Sequence, residues 1–266
     1  MHASRRPHRA SSSTKVAANA CVVLPSAMET VTCLHGFSQH GDSWAEVRAL
    51  VPGERRWLTP DLAAATLPEA EAELLGLWER EGVERTHLVG YSQGGRVALF
   101  VAAGHPGRLR SLTTIGAHAG LESEARALRL EADHALAGRI EREGVEWFAA
   151  YWAGLPLFAG LARRGPSFLE RLDAGRHRND PARLAAALRG MGAGATEPFW
   201  DRLGRIEAPA LVVAGADDER YVAFAHRLAA AIPDAEVAIV PEAGHAVHLE
   251  RPVAFAALLA AHLAGR

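Results

Sequence analysis

Leu88-Val89-Gly90-Tyr91-Ser92-Gln93-Gly94-Gly95 is the stretch whose reading decides the fold. An apolar run ends in a serine held between glycines, and a helical pattern begins at once. In a G-x-S-x-G turn of this kind a strand gives way to a helix so sharply that the serine stands clear of the sheet edge. Gly90 and Gly94 permit the close approach, because a Cβ at either position would meet neighbouring backbone. The Ser92 hydroxyl then lies at the positive end of the following helix, where developing negative charge is favoured. Five residues match a pattern by chance easily enough. The weight comes from the surrounding strand–turn–helix and from candidate partners that follow later in the chain.

Working outward, apolar runs suited to strands occur at 20–24, 31–34, 85–90, 110–115, 210–214 and 236–240, with a weaker one near 55–58. Helical patterns at 67–80, 93–103, 221–231 and 252–263 separate most of them. Strands alternating with helices predict a mostly parallel sheet covered on both faces, with the binding crevice beyond the carboxyl ends of the strands. Residues 118–205 break this rhythm. They read as helical and contain Trp147, Phe148, Tyr151, Trp152, Phe158, Phe168, Phe199 and Trp200. The expected organisation is a core of 20–117 and 206–266 with a helical cap at 118–205 inserted over the crevice. Most of the cap aromatics are expected to pack the cap onto the core, and one or two to meet substrate.

A serine hydroxyl is a poor nucleophile until a base removes its proton, and a third group must hold that base in one tautomer. For a serine in such a turn the partners follow in the order acid, then histidine. The strand Ala210-Leu211-Val212-Val213-Ala214 ends at Gly215 and opens into Ala216-Asp217-Asp218. A later strand runs through Ile239-Val240-Pro241-Glu242-Ala243-Gly244 to His245. His245 is the expected base. Asp218 is the preferred acid, since the later position of the turn reaches back to the crevice. Asp217 remains the alternative acid; otherwise it caps the next helix or faces solvent. His248 suits a substrate hydrogen bond or loop packing.

An oxyanion needs two main-chain donors. One is the amide of Gln93, directly after the serine. Thr32-Cys33-Leu34-His35-Gly36-Phe37 supplies the other through the Phe37 N–H, with His35 as a structural hydrogen-bonding residue. Arg96 is four residues beyond Ser92 and shares its helix face. A cation near a helix N-terminus is locally unfavourable, which makes Arg96 either an anion-binding residue or a surface arginine. In the cap, Arg126, Arg129 and Asp133 stand at helical spacings, suited either to one arginine facing the crevice or to solvated ion pairs.

The 266 residues, 49% of them hydrophobic, suffice for one large domain with a sizeable core. A formal net charge of -2 argues against a nucleic-acid partner, which requires a basic surface. No apolar run approaches the roughly 20 residues that span a bilayer, so no membrane association is expected. Residues 1–19 carry Arg5, Arg6, Arg9 and Lys15 with a serine run and no apolar segment, and read as a disordered basic tail. Cys21 and Cys33 are the only cysteines, both read as buried thiols, and cytoplasmic residence is the simplest expectation. A monomer or small homo-oligomer is expected.

Further residues carry a more specific resemblance. They are Leu34-His35-Gly36-Phe37-Ser38 with Trp44 downstream, and Leu88 through Gly95 continuing as Arg96-Val97-Ala98. His118-Ala119-Gly120-Leu121 follows, then Glu124-Ala125-Arg126-Ala127-Leu128-Arg129 ending at Asp133, and Pro156-Leu157-Phe158. Met191-Gly192-Ala193-Gly194, Gly215-Ala216-Asp217-Asp218-Glu219-Arg220-Tyr221 and Gly244-His245-Ala246-Val247-His248-Leu249-Glu250-Arg251-Pro252 complete it. Over roughly residues 30–260 the chain resembles the 2-succinyl-6-hydroxy-2,4-cyclohexadiene-1-carboxylate synthases of menaquinone biosynthesis, lyases of the α/β-hydrolase fold. The resemblance implies a Ser92–Asp218–His245 triad and oxyanion-hole amides from Phe37 and Gln93. It also implies carboxylate binding by Arg96 and Arg129, pocket positions for Tyr91 and Trp152, and no metal or organic cofactor.

In such a carbon–oxygen lyase the activated serine abstracts a proton from a small anionic substrate, and the rearranging electrons expel pyruvate. A serine hydrolase acting on a small ester, lactone or carbon–carbon-bonded diketone through an acyl-enzyme is the alternative. A non-enzymatic module of this fold is disfavoured, because all three triad positions are kept. One departure stands out. Where many relatives carry a glycine-containing D-x-P-G-x-G-x-S-like run, this chain has Pro60-Asp61-Leu62-Ala63-Ala64-Ala65-Thr66. That loop is expected to border the pocket.

Overall fold

The computed structural model describes residues 1–2 and 28–265. The expected tail from residue 3 onward, the strand at 20–24 and Cys21 lie outside the described residues. Six strands form one sheet: β1 (Thr30–Leu34), β2 (Arg56–Leu58), β3 (Thr86–Tyr91), β4 (Leu109–Ile115), β5 (Ala210–Gly215) and β6 (Ala235–Val240). Their order is β2-β1-β3-β4-β5-β6, and every pairing is parallel. β1, β3 and β5 are buried along their whole length, as strands covered on both faces must be, whereas the edge strand β6 is only partly covered. The weak run near 55–58 is the short edge strand β2.

One face of the sheet is covered by α1 (Ala45–Leu50) and α9 (Pro252–Ala264), the other by α2 (Leu67–Arg80), α3 (Gln93–Gly104) and α7 (Glu219–Ala231). Thr66 caps α2 by accepting from Glu69 N–H at 3.3 Å, and Pro68 occupies the first turn where no amide is required. Leu67, Ala70, Leu74 and Trp78 then form its buried face at helical spacing. Trp78 is fully buried and its indole N–H donates to Thr32 Oγ1 at 3.0 Å, so its polar atom is satisfied in the core. The short helix α1 escapes the sequence pattern because six residues give it less than two turns of periodicity.

After β4 the chain leaves the core and forms an inserted helical subdomain. It comprises α4 (Ser123–Ala153), a 3-10 segment (Pro156–Arg164), α5 (Pro166–His177) and α6 (Pro181–Met191). α4 is broken at Gly144, whose φ of 79° interrupts the helix. Ala137, Ile140 and Phe148 of α4 bury against Leu184, Ala185 and Leu188 of α6, which gives the subdomain its own small core. Phe199 and Leu203, near the end of the excursion, belong instead to the main core beside α3.

Sheet order reverses between β1 and β3, since β2 extends one way from this pair and β4 to β6 extend the other. Loops leaving the carboxyl ends of strands at such a switch point diverge and open a crevice. The loops after β1 and β3 carry Phe37 and Ser92. A short α8 (Val247–Glu250) follows the loop of His245.

Candidate active site

Ser92 adopts φ 51° and ψ -108°, a conformation that L side chains rarely take. Its amide donates to Ile115 O at 2.8 Å, and its carbonyl accepts from Arg96 N–H at 3.0 Å. A Cβ on Gly94 would come within 2.5 Å of the Leu34 and His35 carbonyls, so the strand–helix approach depends on that glycine. Strain of this kind costs about 1–3 kcal/mol and persists where the surroundings over-determine it.

The Ser92 hydroxyl meets His245 Nε2 at 3.0 Å, and His245 Nδ1 meets Asp218 Oδ2 at 3.0 Å. With Nδ1–H donating to the carboxylate, Nε2 is left as an acceptor for the serine proton. The arrangement can therefore move a proton off Ser92. Asp218 also accepts from Tyr221 N–H through Oδ1 at 3.3 Å, so it caps α7 and holds His245 at once. Of the two lesser roles expected for Asp217, capping the helix is thus overturned and the solvent-facing position holds. Asp217 is half exposed and pairs with Arg163 of the cap at 3.1 Å.

A cavity of about 560 Å³ lies between core and cap, lined by Phe37, Tyr91, Ser92, Gln93, Arg96, Arg129, Trp152, Tyr221 and His245 among others. Gln93 opens α3, so its amide sits in the first turn, where no carbonyl of the helix lies four residues behind it. Phe37 packs edge-on against Phe148 and Trp152 of the cap, at 5.8 and 5.2 Å between ring centroids. Burial pushes the Tyr91 phenol well up from its usual value, with the Glu250 charge adding to the effect.

Arg96 is buried. One amino group donates to Met191 O at 2.6 Å, while its Nε has no partner among the described residues. Burial draws its pKa down, and Arg129 nearby acts in the same direction. Arg129 pairs with buried Asp133 at 2.7 Å and keeps 40% of its side chain exposed toward the cavity and solvent. Asp133 also accepts from Gly194 N–H at 3.2 Å, tying the glycine-rich turn after α6 to α4. Arg126 turns away to Gly194 O and Glu197.

The substrate-contact reading of His248 and the expectation that residues 60–66 border the pocket fail, while the loop-packing alternative for His248 holds. His248 does not line the cavity. It is buried behind Tyr91, with its ring 4.5 Å from Tyr91 and stacked at 4.6 Å on Trp44, and neither ring nitrogen has a partner among the described residues. It is a packing residue, because the short α8 turns it under the loop. Residues 60–66 do not border the cavity either. Asp61 accepts from Gly41 N–H at 2.6 Å, and Leu62 N–H donates to His35 Nε2 at 2.9 Å. That loop braces the Phe37 loop from outside. His35 completes the brace through Nδ1 to Gly36 O at 2.8 Å.

Pattern reading missed Arg176 and Tyr221. Arg176 is buried and faces the cavity, with Asp173 3.8 Å away. Phe168, Leu172 and Arg176 stand at i, i+4 and i+8 on α5, and all three line the cavity, a spacing that would have revealed them. Tyr221 packs its ring 4.4 Å from His245. Cys33 is a buried free thiol whose pKa burial raises. Among the described residues no cluster of His, Cys, Asp or Glu is placed to hold a metal ion, and no helix is long and apolar enough to cross a membrane.

A parallel sheet in this order, an inserted helical subdomain and a strained serine between strand and helix define an α/β-hydrolase, and the alpha/beta hydrolase family matches residues 33–258. Within that class the chain belongs to the family of 2-succinyl-6-hydroxy-2,4-cyclohexadiene-1-carboxylate synthase, or MenH. A relative from Bacillus subtilis (strain 168) is 33% identical over 254 residues, covering 90% of this chain and 92% of its own. The synthase of Enterobacter sp. (strain 638) is 32% identical over 236 residues, covering 85% of this chain and 88% of that one. The structure of MenH from S. aureus matches with a TM-score of 0.84 at 26% identity, covering 89% of this chain and 94% of that chain. Fold and kinship give the chain the catalytic character of α/β-hydrolases.

Proposed function

We propose that the chain is a carbon–oxygen lyase that eliminates pyruvate from a succinylated cyclohexene carboxylate, with Ser92 as base, His245 as its proton acceptor and Asp218 orienting the imidazole. The observation that carries this reading is the convergence of Arg96, Arg129 and Arg176 on the cavity that holds Ser92. A pocket for a simple ester gains nothing from guanidinium groups whose burial is costly. A substrate with several carboxylates repays that cost by bidentate pairing.

In the proposed step the Ser92 proton passes to His245 Nε2, and the serine oxygen takes a proton from substrate carbon. The electron pair left on carbon forms a double bond as the carbon–oxygen bond to the three-carbon unit breaks. That unit leaves with the bonding pair and is protonated to pyruvate. The Phe37 and Gln93 amides are suited to the oxyanion that develops as the proton leaves. Tyr91 and Trp152 shape the pocket around the ring, and no metal or organic cofactor is invoked.

Ester or lactone hydrolysis through an acyl-enzyme is the second reading. It is favoured by the Ser92–His245–Asp218 geometry, which serves acyl transfer equally well. Coupling released pyruvate to lactate dehydrogenase tests the first reading. Pyruvate release without a trappable Ser92 adduct supports the lyase. Rapid turnover of short acyl esters with burst kinetics, and no pyruvate above background, establishes the hydrolase.

A further inference from the structure

Glu250 is a carboxylate with no exposed side-chain surface, on the short helix directly after the His245 loop. Its two oxygens are used on the residues flanking His245. Oε2 accepts from Gly244 N–H at 2.8 Å, and Oε1 accepts from Ala246 N–H at 3.1 Å. A side chain six positions after Gly244 thus closes the backbone on both sides of the histidine. Without it, buried amides in a loop would lack partners.

The cap supplies the counter-charge. Arg163 reaches Glu250 Oε2 at 3.3 Å and also donates to Glu242 O at 3.0 Å. Gly160, on the same 3-10 segment, sits so close to the Glu250 carboxylate that a Cβ there would overlap it. The packing of the cap on this carboxylate is therefore as tight as the backbone permits.

We propose that Glu250 is a positioning residue for catalysis: by clamping the amides of Gly244 and Ala246 it holds the His245 imidazole in line between Ser92 and Asp218. The proposal rests on the reading of His245 as the base for Ser92. Both hydrogen bonds of the ring are 3.0 Å long, and the main-chain amides on either side of His245 are the ones that the Glu250 carboxylate holds. A displacement of about 1 Å in a catalytic group can cost roughly 10²-fold in rate, so a clamp on the adjoining backbone acts directly on reactivity.

The experiment compares wild type, Glu250→Gln, Glu250→Ala and His245→Ala. It measures the rate at which phenylmethylsulfonyl fluoride sulfonylates Ser92, by mass spectrometry, and so needs no knowledge of the substrate. The low-field proton resonance of His245 Nδ1–H and the thermal melt are recorded for the same proteins. Glu250→Ala is expected to label about 10²-fold more slowly and to lose or broaden the low-field resonance. Glu250→Gln, which keeps one acceptor, is expected to fall between it and wild type, and this graded response would not follow from lost stability alone. If Glu250→Ala fails to fold, Glu250→Gln carries the test. Labelling of a folded Glu250 variant within twofold of wild type, with the resonance unchanged, overturns the proposal while the His245 reading stands. Equal labelling of His245→Ala and wild type overturns the His245 reading, and the role of Glu250 falls with it.

Discussion

Arg96 Nη2 donates to the main-chain carbonyl of Met191 at 2.6 Å, fastening the helix that carries Ser92 to the last residue of a cap helix. The same residue lines the cavity, so one side chain both seats the cap and borders the space beside Ser92. Arg96→Ala is expected to lose roughly 10²-fold or more in kcat/KM on an anionic substrate, largely through KM. Arg96→Lys should recover little, because an ammonium cannot keep the Met191 contact and present a planar pair of donors together. Steady-state kinetics of the two variants check this; full recovery by lysine would reduce the residue to a point charge.

Ser92 is held at a positive φ that glycine adopts freely and alanine does not. Ser92→Gly and Ser92→Ala should both be inactive. The glycine variant should be the more stable of the two by about 1 kcal/mol, since relief of strain exceeds the added entropy of its unfolded chain. Paired denaturant titrations measure the difference. An alanine variant as stable as the glycine one would mean that the turn stores no strain.

The two adjacent aspartates make a matched experiment. Asp218→Asn should lower kcat by up to about 10⁴-fold, because an amide no longer enforces the imidazole tautomer. Asp217→Asn, on a half-exposed residue paired with Arg163, should stay within a few-fold of wild type. The reverse order would transfer the acid to Asp217.

Burial lowers the His248 pKa from its usual 6.5 to about 3, with the neighbouring His245 acting in the same sense. His87 is lowered to about 4, chiefly by burial. A histidine depressed in the folded state stays neutral while the unfolded chain takes up a proton. Stability is therefore full above about pH 6.5 and falls as pH drops toward the folded pKa. At about pH 5 the contribution of His248 amounts to a loss of roughly 2 kcal/mol. His248→Phe, which keeps a ring against Trp44 and Tyr91, should flatten that loss. Stability curves of variant and wild type between neutral and mildly acid pH test it; parallel curves would exclude His248 as a source.

The strand–turn–helix of Leu88 to Gly95, the alternation that makes the sheet parallel and the helical insertion are all written in local pattern. Apolar period and glycine placement act over a few residues, and the order of serine, acid and histidine is read along the chain without knowledge of the fold. The 67–80 helix reads straight from its spacing. What tertiary structure alone decided are the directions of side chains in loops and on the insertion. Asp218 rather than Asp217 reaches His245 because the first turn of α7 rotates it inward while its neighbour meets the cap. His248 is hidden behind Tyr91, and the 60–66 loop braces the Phe37 loop from outside the cavity. Glu250 gains its place from Arg163, 87 positions earlier in the chain. Backbone conformation is chosen by near neighbours, but the facing of a buried charge is chosen by whichever distant group can satisfy it, and only the packed chain brings the two together.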